Sequence, residues 1–146
     1  MRTPLPNDKI AAQALQRQRP DGSVYRSLSI TATADLAREA GTEARTIELA
    51  ALEQQILPER YARNTQSLSL ADQQHLLQSR ACIVGVGGLG GTVAEVLARI
   101  GVGRLQLVDG DGFEAHNLNR QRFAHSDNLG QPKAGEARRE IARINP

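Results

Sequence analysis

Ala81-Cys82-Ile83-Val84-Gly85-Val86-Gly87-Gly88-Leu89-Gly90-Gly91-Thr92 decides the fold of this chain. Residues 81–86 form a short, continuous apolar run, which reads as a parallel strand buried on both faces. Residues 87–91 make a glycine turn. Residues 92–100 follow with helical spacing, placing Val93, Val96, Leu97 and Ile100 inward, and Gly101 closes that helix. Residues 104–109, Arg-Leu-Gln-Leu-Val-Asp, read as a second strand, so the three segments make a strand–helix–strand unit. After a loop, Pro132 opens a last helix that runs to about Ile144. A doubly wound parallel sheet needs more than two strands and helices on both faces. A third strand is therefore expected beyond Pro146, in a longer protein or supplied by a partner that completes the sheet.

The turn matches the dinucleotide fingerprint G-x-G-x-x-G through Gly85, Gly87 and Gly90. Gly85 and Gly87 permit a tight turn after the strand, and Gly88 lets main-chain N–H groups approach a phosphate with no Cβ in the way. The helix that follows points the positive end of its dipole at an anion. Asp109 ends the next strand 19 residues after Gly90, where an acidic side chain accepts hydrogen bonds from ribose hydroxyls. These features point to a nucleotide site. The alternative is a glycine turn that serves only close helix–strand packing. The fingerprint by itself leaves NAD and ATP both open.

Residues 109–121, Asp-Gly-Asp-Gly-Phe-Glu-Ala-His-Asn-Leu-Asn-Arg-Gln, resemble a motif of the ThiF/MoeB/HesA adenylyltransferases and the related ubiquitin-activating enzymes: D-x-D, a short spacer, then N-L-x-R-Q. Gly130-Gln131-Pro132-Lys133-Ala134 resembles that family's G-x-x-K-A, Arg60-Tyr61-Ala62-Arg63 its R-Y-x-R, and Ile144-Asn145-Pro146 its I-N-P. The motifs stand in family order over residues 58–146. The resemblance implies a Rossmann-like ATP-binding α/β fold, here an incomplete parallel sheet, preceded by an N-terminal helical segment. It implies that Gly88 packs against the nucleotide and Asp109 holds the ribose. Asn117, Arg120 and Gln121 would line the phosphates, with Arg120 neutralising the triphosphate. Lys133 would reach the α-phosphate, and Asp111 would lie at the mouth of the site. Arg63 matches an arginine that enters the partner subunit's site, which implies a homodimer. Arg120, Lys133 and Arg63 are thus the catalytic candidates, with ATP and Mg²⁺ as cofactors. The family's downstream Asp, its zinc-binding CxxC pairs and its reactive Cys would all lie beyond Pro146. No metal-ligating residues are assigned within the chain, because His75, His116 and His125 have no metal-site spacing.

Upstream, residues 1–27 read as a mobile arm and residues 28–57 as a helical hairpin. Thr33 or Asp35 can cap the first of its helices and Gly41 ends it; Pro58 ends the second, which carries Ile47, Ala50 and Ile56 on its apolar side. The hairpin is compatible with a helix-turn-helix. Its second helix, however, sets Glu43, Glu48 and Glu53 against one Arg45, the wrong balance for reading DNA. A helical hairpin that packs on a partner or on the main domain is favoured. Residues 70–79 read as a further helix capped by Ser69, and residues 58–146 as the N-terminal half of a ThiF-type nucleotide-binding domain.

Composition narrows the classes further. A net charge of +2 gives no argument for nucleic acid or an anionic membrane. Of 18 basic residues only Lys9 and Lys133 are lysines, a bias that suits planar recognition of phosphate and carboxylate or merely reflects a GC-rich gene. With 3% aromatics and no Trp, the core is expected to be aliphatic. The single Cys82 excludes an internal disulfide and a Cys-rich zinc site, and its place in a strand implies a buried, inert thiol. No signal peptide or spanning apolar run is present, so the cytoplasm is expected. The leading function is ATP-dependent adenylylation of the C-terminal carboxylate of a small ubiquitin-like sulfur-carrier protein. A non-catalytic nucleotide- or carrier-binding module and an NAD(P)- or FAD-dependent oxidoreductase are the alternatives.

Overall fold

The computed structural model describes residues 7–146. The chain divides into two units, Met1–Leu77 and Gln78–Pro146.

In the first unit, α1 (Asn7–Gln13) leads into β1 (Leu15–Gln18) and β2 (Val24–Leu28), an antiparallel hairpin. Asp21 shapes its turn by accepting bonds from the amide and hydroxyl of Ser23 at 2.9 and 2.7 Å. Helices α2 (Ile30–Ala40) and α3 (Ala44–Glu53) then carry the chain to β3 (Ile56–Pro58), which pairs parallel to β2. Ser29, rather than Thr33 or Asp35, caps α2, accepting from the Ala32 amide at 3.1 Å. Gly41 ends α2 in the left-handed conformation, φ 61°, as expected.

Two further expectations fail in this unit. Residues 7–27, expected to belong to a mobile arm, are folded: they form α1 and most of the hairpin, and Ile10 is fully buried in one cluster with Leu28, Leu36, Ile47 and Ile56. Residues 1–6 of that arm lie outside the described residues. Pro58 does not end α3. That helix stops at Glu53, Gln55 turns the chain at φ 58°, and Ile56 gains its burial in β3 instead. A second cluster joins Leu52, Leu57, Tyr61 and Leu77. Helix α4 (Leu70–Gln78) starts at Ser69, whose hydroxyl accepts from the Asp72 amide at 3.1 Å.

In the second unit, β4 (Arg80–Val84) and β5 (Arg104–Val108) pair parallel, with α5 (Gly88–Ile100) between them and α6 (Lys133–Ile144) after the loop. The core is Val86, Ala94, Phe113, Phe123, Ala124 and Ala137, so two phenylalanines sit where an aliphatic core was expected. The strands are not buried on both faces. Ile83 and Leu107 pack inward, but Val84 is 80% exposed and Cys82 is exposed too, because only one face of this two-stranded sheet is covered. Helix α5 is turned from the expected orientation: Gly91, Ala94, Glu95 and Ala98 are buried, while Val93 and Val96 face outward. Small residues let the helix approach the layer beneath it closely, which the bulkier valines would not.

Candidate nucleotide site

The second unit gathers nearly all the expected site residues around the start of α5. The ladder continues one residue past β4, where the Gly85 amide donates to the Val108 carbonyl at 2.7 Å. Gly85 then turns the chain at φ 84°, a conformation that side-chain-bearing residues avoid. A Cβ on Gly90 would fall 1.8 Å from the Gly85 carbonyl oxygen, so the first turn of α5 rests directly on the strand's end. Gly88, by contrast, is open: a Cβ there would meet only the Arg120 carbonyl oxygen, at 3.8 Å.

Asp109 ties this turn to the loop that follows β5. One carboxylate oxygen accepts from the Val86 amide at 2.6 Å and the other from the Asp111 amide at 2.9 Å. Partial burial works to raise its pKa, but those two amides and the nearby Lys133 charge outweigh it and hold the carboxyl below its ordinary value. The loop closes on the start of α6. The Phe113 amide donates to the Gln131 carbonyl at 3.0 Å, and the Lys133 amide to the Asp111 carbonyl at 2.9 Å. The Lys133 ammonium, on a side chain 9% exposed, reaches the Asp111 carboxylate at 3.3 Å.

Asn117 is buried, and its side-chain oxygen accepts from the Glu114 amide at 3.0 Å, which fixes the turn before Arg120. The Arg120 guanidinium donates to the His116 carbonyl at 2.8 Å and to the Asn119 amide oxygen at 3.2 Å. Two of its five N–H donors bond within its own turn, and its carbonyl lies beside Gly88. The Gln121 amide lies over Gly87, its nitrogen 3.5 Å from where a Cβ would stand. Its oxygen Oε1 is buried with no hydrogen-bond partner.

Arg63 belongs to the first unit. Its exposed side chain lines a depression of about 410 Å³ there, with Gln18, Arg19 and Tyr25. Sequence reasoning passed over Glu95 and Arg122. Glu95 is buried in α5 and bonds both Arg122 and Arg99. The available signal was a lone carboxylate in a helix whose one other charge is Arg99, four residues on.

A strand, a glycine turn that exposes helix-start amides, and a carboxylate closing the next strand define a Rossmann-like nucleotide-binding unit. The family model that matches residues 61–146 is that of the ThiF family, and the chain belongs to it. The chain is 42% identical over 86 residues to tRNA threonylcarbamoyladenosine dehydratase of Bacillus subtilis, covering 59% of this chain and 34% of that one. It is 46% identical over 74 residues to molybdopterin-synthase adenylyltransferase of Escherichia coli, covering 51% and 30%. Among solved structures, the E. coli tRNA N6-threonylcarbamoyladenosine dehydratase in complex with ATP superposes with a TM-score of 0.59 at 36% identity, over 60% of this chain and 36% of that one. The chain thus spans about a third of the length of the curated relatives it matches. Among the described residues, no helix is long and apolar enough to cross a membrane.

Proposed function

We propose that this protein serves ATP-dependent adenylylation of a carboxylate, the acceptor being the C-terminal carboxylate of a small ubiquitin-like sulfur-carrier protein. The observation that carries the nucleotide reading is the Gln121 side chain. Its oxygen is buried without a donor, and the side chain lies against Gly87 of the glycine turn. A buried acceptor left unpaired costs about 1–3 kcal/mol, and a ribose hydroxyl of a bound nucleotide, unlike its donor-free phosphates, would relieve that cost. The oxidoreductase reading is disfavoured because the Asn117–Gln121 run lies within the stretch matched by the ThiF family.

The chemistry requires no protein nucleophile. A carboxylate oxygen attacks the α-phosphorus of ATP, the bond to the β-phosphate bridging oxygen breaks, and pyrophosphate leaves with that electron pair. Negative charge builds on phosphate oxygens, and cations held in place stabilise it more in the transition state than before it. Arg120, with donors to spare, would turn from its own backbone toward the triphosphate. Lys133 would act at the α-phosphate, Asp109 at the ribose, and Asn117 would hold the turn that presents Arg120 and Gln121. Mg²⁺ would supply further positive charge against the phosphates, and Asp111 would lie at the mouth of the site. Arg63 would act across a homodimer, in the cytoplasm.

The acceptor needs its own argument, since one relative is named for a tRNA nucleoside and another for molybdopterin synthase. The adenylyltransferase name fits chemistry that stops at the acyl-adenylate, which is all this set of residues requires. The test is ATP–pyrophosphate exchange by the full-length protein with candidate carriers and with tRNA. Exchange that depends on a carrier ending in a free glycine carboxylate is expected. Exchange with tRNA alone would overturn the acceptor, and a melting shift with NAD but not ATP would overturn the nucleotide. Arg120→Ala should lower exchange by ~10²-fold or more, the scale of losing one transition-state donor.

A further inference from the structure

Residues 121–123 lie along one stripe that starts at the Gly87 cap of α5, and Arg120 lies beside Gly88. Gln121 meets Gly87, and Arg122 and Phe123 meet Gly91, where a Cβ would stand 3.6 and 3.4 Å from them. Four residues further along the same stripe is Glu95. Glycines at the first two positions let the segment come close but offer it no side chain to hold. Glu95 supplies the grip. Its carboxylate accepts from Arg122 Nε through one oxygen and from Arg122 Nη2 at 3.0 Å through the other, a two-pronged pair. The Glu95 side chain is 9% exposed, whereas Arg122 reaches it from the solvent side. Phe123, buried in the core, sets the depth of the segment.

We propose that Glu95 and Arg122 are positioning residues, whose ion pair clamps segment 120–123 to α5 and so holds Arg120 and Gln121 over the glycine turn. The inference rests on the nucleotide reading above. Arg99 supplies an internal control. It donates to the same carboxylate at 2.8 Å but sits on α5 itself, one turn after Glu95, and grips no loop. If pairing merely neutralised a buried charge, losing Arg99 would matter as much as losing Arg122. If the pair positions the loop, only Arg122 counts.

The experiment compares the full-length wild type with Arg122→Met, Arg122→Lys and Arg99→Met. Each is measured for melting temperature, ATP-induced melting shift, and kcat and KM for ATP in pyrophosphate exchange. Arg122→Met should lose ~10-fold or more in kcat, the scale of a misplaced catalytic group, with a smaller change in KM. Arg122→Lys, which keeps the charge but not the fork, should recover part of that loss, and Arg99→Met should stay near wild type. Equal losses in Arg122→Met and Arg99→Met, or a loss that simply follows melting temperature, would overturn the clamp. A wild type that shows no exchange would overturn the adenylylation reading instead. The clamp would then stand or fall on whether Arg122→Met weakens the ATP-induced shift more than Arg99→Met does.

Discussion

Two glycines of the turn are irreplaceable for different reasons. At Gly90 the obstacle is the protein itself, since a methyl group would sit 1.8 Å from the Gly85 carbonyl oxygen. Gly90→Ala must push the strand end and the helix apart, and overpacking of this kind costs about 1–3 kcal/mol. Its urea midpoint should fall, and ATP binding with it. At Gly88 the protein leaves room, the nearest atom being 3.8 Å away. Gly88→Ala should therefore keep the wild-type midpoint and, on the proposed nucleotide reading, lose ATP affinity, because the added methyl would stand in the way of a phosphate approaching the backbone. Wild-type ATP binding by Gly88→Ala would remove the phosphate from that spot. The sequence made both glycines visible and gave Gly88 the phosphate, but it could not show that Gly90 rests on the strand's end. The Asp109 carboxylate was legible as an acidic residue at a strand end. Its two amide partners were not, because they depend on how the turn folds back over β5.

At the scale of elements, α3 carries a titrating group that its sequence disguises. In the sequence Glu48 counted only among the acidic residues of this helix, yet it is 3% exposed and pairs with Arg60 at 3.0 Å. Burial pushes its carboxyl up to about 7 from 4.5, with the Arg60 charge opposing the rise. The folded protein therefore holds a proton through that window which the unfolded chain releases. Stability should decline as pH rises from about 4.5 toward 7 and level off above it. Glu48→Gln should flatten that slope, and at pH 8 it should be more stable than wild type by ~3 kcal/mol at most. Melting curves of the two proteins between pH 4.5 and 8 decide the matter, and parallel curves would show that Glu48 does not titrate there. Elements with turn chemistry were easy to read: β4, β5, α6 and the Gly41 stop stand where the sequence places them. Helix α5 was harder, because Val93 and Val96 are as apolar as Ala94 and Ala98, and periodicity cannot tell which stripe faces in. Strand β1 was missed since Leu-Gln-Arg-Gln is exposed throughout and has no alternation to detect.

At the scale of the whole chain, two units with separate cores should respond separately to stress. The first unit closes two clusters, Ile10 to Ile56 and Leu52 to Leu77, around a three-stranded sheet. The second covers one face of a two-stranded sheet and leaves Val84, Leu89, Val96 and Val108 between 42% and 81% exposed. The Rossmann-like unit was legible because its glycine turn is local. The bareness of its sheet was not, since burial on both faces depends on layers that no single strand encodes. Less apolar area leaves water when the second unit folds, and hydrophobic stabilisation follows that area at roughly 25 cal/mol per Å². The 146-residue chain should accordingly unfold in two steps, residues 78–146 melting first. ATP at 100 times its Kd should stabilise only that step, by about 2.7 kcal/mol, because the glycine turn, Gln121 and Lys133 all lie in it. Calorimetry gives the two transitions, and hydrogen exchange assigns them, with amides of β4 and β5 opening before those of β2 and β3. A single transition that ATP moves as a whole would mean that the two units fold as one cooperative body.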